Sequence, residues 1–324
     1  MALAVLHSDD QWKAHFSAPA PPSVVTIGNF DGIHVGHQKI LREVLERARA
    51  SQGLSAVVTF NPHPLRVLRP DEAPSLLMTL GQRLAAFEEL RLDAVLILQF
   101  DRALSLLSPE EFVRRILVET MRARDVLVGG NFRFGHRQAG DVRLLTEMGK
   151  TRGFAVETIP PVVVRGAVVS SSAIREALRE GHVTRAARFL GRPFSLAGEI
   201  RPGTGQGRRL IVPTLNLATE QELLPKAGVY VTETCVGGRL YRSTTNIGVR
   251  PTFDGRGLTI ESHLFDFGQE LQSGAMEVRF WKRLRDEQKF SGPEALRSQV
   301  IRDLARARRF FARLDRWHET RQTA

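Results

Sequence analysis

The spacing of apolar residues changes its period near residue 185, and that change restricts the possible folds more than any motif does. Upstream, short apolar runs rich in β-branched residues alternate with segments of helical spacing. Residues 24–27, 54–60, 94–100, 125–128 and 155–159 have the strand pattern. Residues 37–50 carry Ile40, Leu41, Val44, Leu45 and Ala48 on one helical face. Residues 79–90, 109–119 and 141–152 predict further helices, that at 109–119 opened by Ser108 as cap and Pro109 in its first turn. Strand and helix in alternation predict an α/β domain, a doubly wound parallel sheet whose ligand lies at the carboxyl ends of the strands. Downstream, the strand-like runs 194–200, 229–235, 239–246, 259–265 and 276–280 follow one another, and helical spacing returns only at 293–314. That order predicts an antiparallel β-barrel closed by a C-terminal helix. A short helix expected at 183–190, before Gly191-Arg192-Pro193, sets the boundary between domains 1–187 and 188–324.

Composition agrees with this division. A chain of 324 residues, 42% hydrophobic, accommodates two domains of about 150 residues, each with its own core. No apolar run reaches membrane-spanning length, and residues 1–16 lack the apolar stretch of a signal peptide. The single cysteine, Cys235, excludes an internal disulfide and a cysteine-based zinc site, and fits a reducing, cytoplasmic setting. The formal charge of +11 invites a nucleic-acid or phosphate partner. However, residues 279–324 alone hold 13 basic and 6 acidic side chains, so much of the excess belongs to the C-terminal segment as a solvated helix face.

The first chemistry-bearing string is Gly28-Asn29-Phe30-Asp31-Gly32-Ile33-His34-Val35-Gly36-His37, where the first long strand meets the first long helix. Its glycines permit positive φ and close backbone approach. A helix N-terminus after His37 supplies N–H groups and a dipole favourable to phosphate. Two histidines three residues apart can point at one phosphate chain and stabilise charge on a pentacovalent phosphorus and on departing pyrophosphate. The string resembles the HxGH signature of the nucleotidyltransferase superfamily. In that class one substrate's phosphate attacks the α-phosphate of ATP, so catalysis is positioning plus electrostatics. Asn61-Pro62-His63-Pro64 ends the next strand, and a loop containing Asn131, Phe132, Arg133 and Arg137 follows the fourth. Ser170-Ser171-Ser172 precedes a helix with Arg175 one turn in; the serines read either as an ordinary N-cap or as a phosphate clamp.

In the second half, Gly203-Thr204-Gly205-Gln206-Gly207-Arg208 leads into Pro213-Thr214-Leu215-Asn216. It is not a Walker A loop, because no Lys-Ser/Thr follows the glycines. It reads as a hairpin or as a nest of amides around phosphates. Thr214 and Asn216 alternate on one face of an extended chain and offer oxygen ligands suited to Mg²⁺. Glu261 shares a strand face with Thr259 and is expected to point inward, where its carboxylate is the candidate general base for a substrate hydroxyl.

The order and spacing of these strings resemble prokaryotic bifunctional riboflavin kinase/FAD synthetases, residues 20–185 matching the FMN adenylyltransferase module and the Pro-Thr-x-Asn segment onward the riboflavin kinase module. The resemblance implies a Rossmann-like HxGH nucleotidyltransferase domain and a β-barrel riboflavin kinase domain. It implies phosphorylation of riboflavin to FMN, then adenylylation of FMN to FAD and pyrophosphate, with ATP as co-substrate and Mg²⁺ as cofactor. By it, His34, His37 and Glu261 are catalytic, and Thr214 and Asn216 hold the metal. Gly28, Phe30, Asp31, Gly36, Asn131, Ser171, Ser172, Arg175, Gly203, Gly205, Gly207 and Arg208 bind nucleotide. Asn61, His63, Pro64, Asn246, Arg250 and Arg285 bind flavin. Two departures stand out: Ile211-Val212 where the family has Gly-Phe/Tyr before Pro-Thr, and Gln272-Ser273-Gly274 where it tends to have Tyr-Gly. Two other readings remain at this point. An adenylyltransferase for another acceptor leaves the second half unexplained. An RNA-binding protein lacks both an aromatic RNP string and a zinc knuckle. The partners expected are therefore small molecules, with no nucleic acid and no membrane.

Overall fold

The computed structural model describes residues 2–16, 21–202, 213–252, 255–269 and 271–322. The chain divides into two compact units, Met1–Ser171 and Ser172–Ala324.

The first unit is built on β1 (Ala4–Leu6), β2 (Ser23–Ile27), β3 (Leu54–Asn61), β4 (Ala94–Gln99), β5 (Ala123–Gly129) and β6 (Ala155–Ile159). These form one sheet in the order β1-β4-β3-β2-β5-β6, and every pair is parallel. Helices α1 (Asp9–His15), α2 (Val35–Ala50), α3 (Pro64–Leu68), α4 (Leu80–Glu89) and α5 (Val142–Arg152) connect the strands. Alternation within each strand divides its apolar residues between two cores. Val25, Val58, Leu96 and Val126 pack with Trp12, Phe112 and Leu117 on one face. Val24, Val57, Val95 and Leu127 pack with Leu41, Val44 and Phe87 on the other. Burial on both faces is why these strands read as unbroken apolar runs. From β2 the chain winds outward through β3 and β4, then crosses back to place β5 on the other side of β2. The crevice of a wound sheet opens at such a reversal, at the carboxyl ends of the strands.

Three local features differ from the periodicity. Strand β1 and helix α1 are additional, each too short to show a period, although Trp12 of α1 is buried. The helix expected at 109–119 is α-helical only over Pro109–Phe112 and π-helical over Val113–Thr120. The Thr120 hydroxyl donates to the Arg115 carbonyl, and Met121 N–H donates to Ile116, five residues back, so the ladder widens. Helix α2 starts at Val35 rather than His37, because His34 is its cap.

The second unit opens with α6 (Ser171–Arg179) and α7 (Val183–Leu190). Strands β7 (Phe194–Arg201), β8 (Leu215–Ala218), β9 (Gly228–Val236), β10 (Arg239–Thr252), β11 (Gly255–Leu264) and β12 (Ala275–Arg285) close an antiparallel barrel in the order β7-β8-β11-β10-β9-β12. Its interior contains a chain of fully buried hydroxyls, Thr234–Ser243–Thr232–Thr245–Ser262, with neighbours 2.7 to 2.8 Å apart. The C-terminal helix α8 (Pro293–Gln322) lies against the outer wall, where Val231 and Phe265 meet Ala307 and Phe311. Truncating Phe311 removes the largest fully buried side chain that α8 contributes. Phe311→Ala is expected to cost about 3–5 kcal/mol, read as a lowered denaturant midpoint for the barrel with Trp281 as a reporter.

Candidate active sites

Leaving β2, the chain passes through Phe30, Gly32 and Ile33 at φ of 49°, 89° and 38°. Left-handed backbone at a phenylalanine and a β-branched isoleucine costs of order 1–3 kcal/mol each. Burial holds both side chains there, each 2% exposed. The Phe30 ring folds back across Gly28, where a Cβ would lie 3.2 Å from it, and its edge meets His37. The Asp31 carboxylate accepts from the backbone N–H groups of Leu77 (2.9 and 3.1 Å) and Met78 (3.2 Å), so it clamps the segment leading to α4. The Asp31 carbonyl accepts from the Ser171 hydroxyl at 2.8 Å, which brings the serine motif against the histidine motif.

His34 caps α2, its Nδ1 accepting from the His37 N–H at 3.2 Å. That bond leaves the neutral ring's proton on Nε2. His37 therefore lies in the first turn rather than ahead of the helix, and its ring stacks on His34 with centroids 3.6 Å apart. Burial, with the neighbouring His34 ring, holds the His37 pKa well below the usual histidine value, so it is neutral at pH 7. Gly36 makes room for this stack, since a Cβ there would approach His34 Cε1 and Nδ1 to 3.1 Å.

Asn61, His63 and Pro64 lie at the carboxyl end of β3 and the start of α3. His63 Nδ1 accepts from Leu65 N–H, and its Nε2 is 3.1 Å from the Asn29 side-chain amide. Asn131 follows β5, its Oδ1 folded toward Gly129. Exposed Ser172 lies in the first turn of α6 and buried Arg175 one turn in. Two members of the first site carry no sequence signal of their own: Asn29, read only as part of the string, and Arg83 of α4, whose Nη1 donates to the Asn29 carbonyl at 2.8 Å.

In the barrel, the strand register aligns the second set of residues. Asn216 pairs with Glu261, Glu261 with Asn246, Asn246 with Val229, and Val229 with Arg285, so five strands contribute one row. The row shares its parity with Val231, which faces α8, and is opposite in parity to the buried hydroxyl chain. Glu261 therefore faces outward from the wall rather than inward as expected, with Thr259 on the same face. Thr214 precedes β8 in register with Asn216. Arg285 Nε donates to Asp303 of α8 at 2.8 Å, a largely buried ion pair. Glu287, part of the Leu284–Phe290 string that follows in family order but given no role by it, approaches the same wall: a Cβ on Gly248 would lie 2.5 Å from its Oε1 and 3.0 Å from Asn246 Nδ2. Gly203, Gly205, Gly207, Arg208, Ile211 and Val212, and the Arg250 side chain, lie outside the described residues. Among the described residues, no three His, Cys, Asp or Glu side chains cluster to hold a metal by themselves. Thr214 and Asn216 instead offer hydroxyl and amide oxygens, which fit a divalent cation that takes most of its ligands from phosphate and water.

A wound sheet with a histidine-capped helix at its reversal, followed by a barrel with a polar outer row, defines a two-module nucleotide-dependent transferase. A family model described as FAD synthetase matches residues 17–173, and one described as Riboflavin kinase matches residues 190–311. The bifunctional riboflavin kinase/FMN adenylyltransferase of Pseudomonas fluorescens is 40% identical over 286 residues, 88% of this chain and 92% of that protein. Its counterpart from Escherichia coli strain K12 is 35% identical over 295 residues, 91% and 94% respectively. A solved chain titled as a macrolide-efflux protein from Streptococcus pneumoniae has the same fold, with a TM-score of 0.85 at 28% identity over 95% of this chain and 99% of that one. The chain belongs to the bacterial bifunctional riboflavin kinase/FMN adenylyltransferase family.

The two glycines that make room for functional side chains are sensitive probes. Gly36→Ala should change stability by no more than about 1 kcal/mol, the gain in helix propensity being offset by disturbance of the His34 cap, while FAD formation falls because the His34 ring is displaced; thermal melting and product chromatography separate the two effects. Gly248→Ala should displace Glu287 and lower riboflavin phosphorylation, with FMN adenylylation by the same preparation unchanged.

Proposed function

We infer that each module carries out its family's reaction through the side chains described above. The enzyme is bifunctional. ATP phosphorylates riboflavin to FMN, and a second ATP adenylylates FMN to FAD with release of pyrophosphate. The kinase module is residues 188–324 and the adenylyltransferase module residues 1–187, a division supported by family matches that end at residue 173 and begin at residue 190.

The observation that carries the kinase assignment is the row Asn216–Glu261–Asn246 across three adjacent strands. Glu261 accepts the proton of the ribityl terminal hydroxyl as that oxygen attacks the γ-phosphorus of ATP and ADP leaves. Thr214 and Asn216 hold Mg²⁺, which offsets charge on the transferring phosphoryl group when bound. Asn246, Arg250 and Arg285 serve the flavin side of the wall. The Arg285–Asp303 pair makes Arg285 a fixed rather than a mobile cation. Gly203, Gly205, Gly207 and Arg208 supply the loop over the ATP phosphates.

In the sheet module, FMN phosphate oxygen attacks the α-phosphorus of ATP, and the bond to pyrophosphate breaks. Stacked His34 and His37 stabilise the developing charge as neutral donors, His34 through Nε2–H. Gly28, Phe30, Asp31 and Gly36 shape the loop that lets phosphate approach. Asn131, Ser171, Ser172 and Arg175 hold the nucleotide, and Asn61, His63 and Pro64 line the flavin side. The partners are ATP, riboflavin and FMN rather than nucleic acid or membrane, and the reactions belong to the cytoplasm. Among the described residues no helix is long and apolar enough to cross a membrane.

Incubating the protein with riboflavin, ATP and Mg²⁺ and resolving FMN and FAD by chromatography tests both assignments. His34→Ala should stop FAD formation and spare FMN formation. Glu261→Ala should abolish riboflavin phosphorylation and spare adenylylation of supplied FMN. Loss of both activities in either variant would contradict two separate sites.

A further inference from the structure

Arg83 belongs to no motif and lies on α4, yet its side chain reaches the loop that follows β2. It is 5% exposed. Nη1 donates to the Asn29 carbonyl at 2.8 Å and to Thr59 Oγ1 at 3.3 Å, and Nε is buried with no hydrogen-bond partner. Both of its hydrogen bonds go to neutral oxygens rather than to a carboxylate. Asp31, whose carboxylate accepts from the Leu77 and Met78 N–H groups, attracts it without bonding to it. Burial outweighs that attraction and pushes the guanidinium below its ordinary pKa. Arginine nonetheless keeps its charge in proteins, and a buried charge without a counter-ion is unfavourable. The first unit thus contains a buried guanidinium with an unpartnered Nε and, among the described residues, no carboxylate bonded to it.

The unpartnered polar atoms of this unit belong to β2, the loop and helix that follow it, and Arg83. Four buried side-chain atoms among the described residues lack a hydrogen-bond partner: Thr26 Oγ1, Asn29 Oδ1, His37 Nδ1 and Arg83 Nε. Thr26 is on β2, Asn29 on the loop after it and His37 in the first turn of α2, while Arg83 bonds to Asn29. The barrel has no such atom among its described residues, although its interior is rich in hydroxyls. Unsatisfied groups are expensive, so their grouping at one strand end marks a site preorganised for an outside molecule.

We propose that Arg83 is a positioning residue of the adenylylation site, its buried guanidinium compensating the phosphate charge that gathers at the carboxyl end of β2 while Nη1 holds the Asn29 turn. The proposal rests on the assignment of FMN adenylylation to the sheet module. The anion is a nucleotide phosphate or the pyrophosphate it releases, and the proton balance of the transfer is unchanged, because Arg83 neither gives nor takes a proton.

The test uses full-length Arg83→Met and Arg83→Lys, with His34→Ala as reference. FMN adenylylation and riboflavin phosphorylation are measured on each, and Tm is followed as inorganic pyrophosphate and Mg²⁺ are added. Arg83→Met is expected to lower kcat/KM for FAD formation about 100-fold, the scale of losing one preorganised electrostatic group. It should also remove the pyrophosphate-induced rise in Tm and leave FMN formation unchanged. Arg83→Lys keeps the charge and should retain part of both responses. A purely structural arginine would lower the Tm of the unliganded protein in step with activity; here activity falls further than stability. Wild-type adenylylation with an intact pyrophosphate response in Arg83→Met would overturn the proposal, as would Arg83→Lys being as impaired as Arg83→Met. FAD formation surviving in His34→Ala would instead overturn the site assignment, and that result is read independently of the Arg83 variants.

Discussion

Strand β2 runs between β3 and β5, and the chain must leave it where the winding of the sheet reverses. At that point the backbone has no neighbouring strand to follow, and three of four consecutive residues, Phe30, Gly32 and Ile33, adopt positive φ. Such a loop persists only if its surroundings hold it. Phe30 and Ile33 are buried, Asp31 clamps the Leu77–Met78 backbone, Ser171 holds the Asp31 carbonyl, and Arg83 holds that of Asn29. These anchors fix the direction in which α2 departs. They also fix the His34 cap, and through it the stacked pair of imidazoles.

The barrel meets the same chemical demand by a different route. Its site depends on strand register rather than on a strained loop. Because side chains alternate, a single pairing frame sends Thr232, Ser243, Thr245 and Ser262 to the interior and Asn216, Glu261 and Asn246 to the outer wall. A one-residue slip would exchange the two sets. The saturated hydroxyl chain therefore does more than fill the barrel: it penalises any other register, since a slipped frame would bury Glu261.

The sequence made legible what depends on period and on local strings. The five long strands of the sheet and the strand–strand grammar of the barrel come from hydrophobic spacing that tertiary packing left intact. Glu261 and Thr259 could be put on one face, because alternation is local; which face points outward depends on the closure of six strands, which no local pattern carries. Periodicity puts the start of α2 two residues late because histidine is not a usual cap, and only the His34–His37 bond reveals it as one. Thr120 widened an expected α-helix through a side-chain bond that periodicity cannot register. Arg83, outside every string, and Glu287, inside one but without a role, are illegible for another reason. Each becomes notable through what its neighbours lack, an anion beside Arg83 and a Cβ beneath Glu287, and absence at a distant position leaves no trace in a single sequence.

The net positive charge takes a different meaning in each unit. On α8 and the wall beneath it, three arginines are matched: Arg285 with Asp303, Arg242 with Asp315, and Arg308 with Asp266 while its guanidinium lies 4.7 Å from the centre of the Phe265 ring. There the charge fastens the helix to the barrel, and the pair formed by Arg285 ties the end of the site row to the helix. In the sheet, by contrast, Arg83 is buried with its hydrogen bonds made to neutral oxygens and its Nε unpartnered. A formal charge of +11 cannot distinguish these cases. What separates them is whether the protein itself supplies the counter-ion. Where it does, removing the cation weakens the fold; where it does not, the fold tolerates an unfavourable charge whose compensation arrives with a phosphate-bearing substrate.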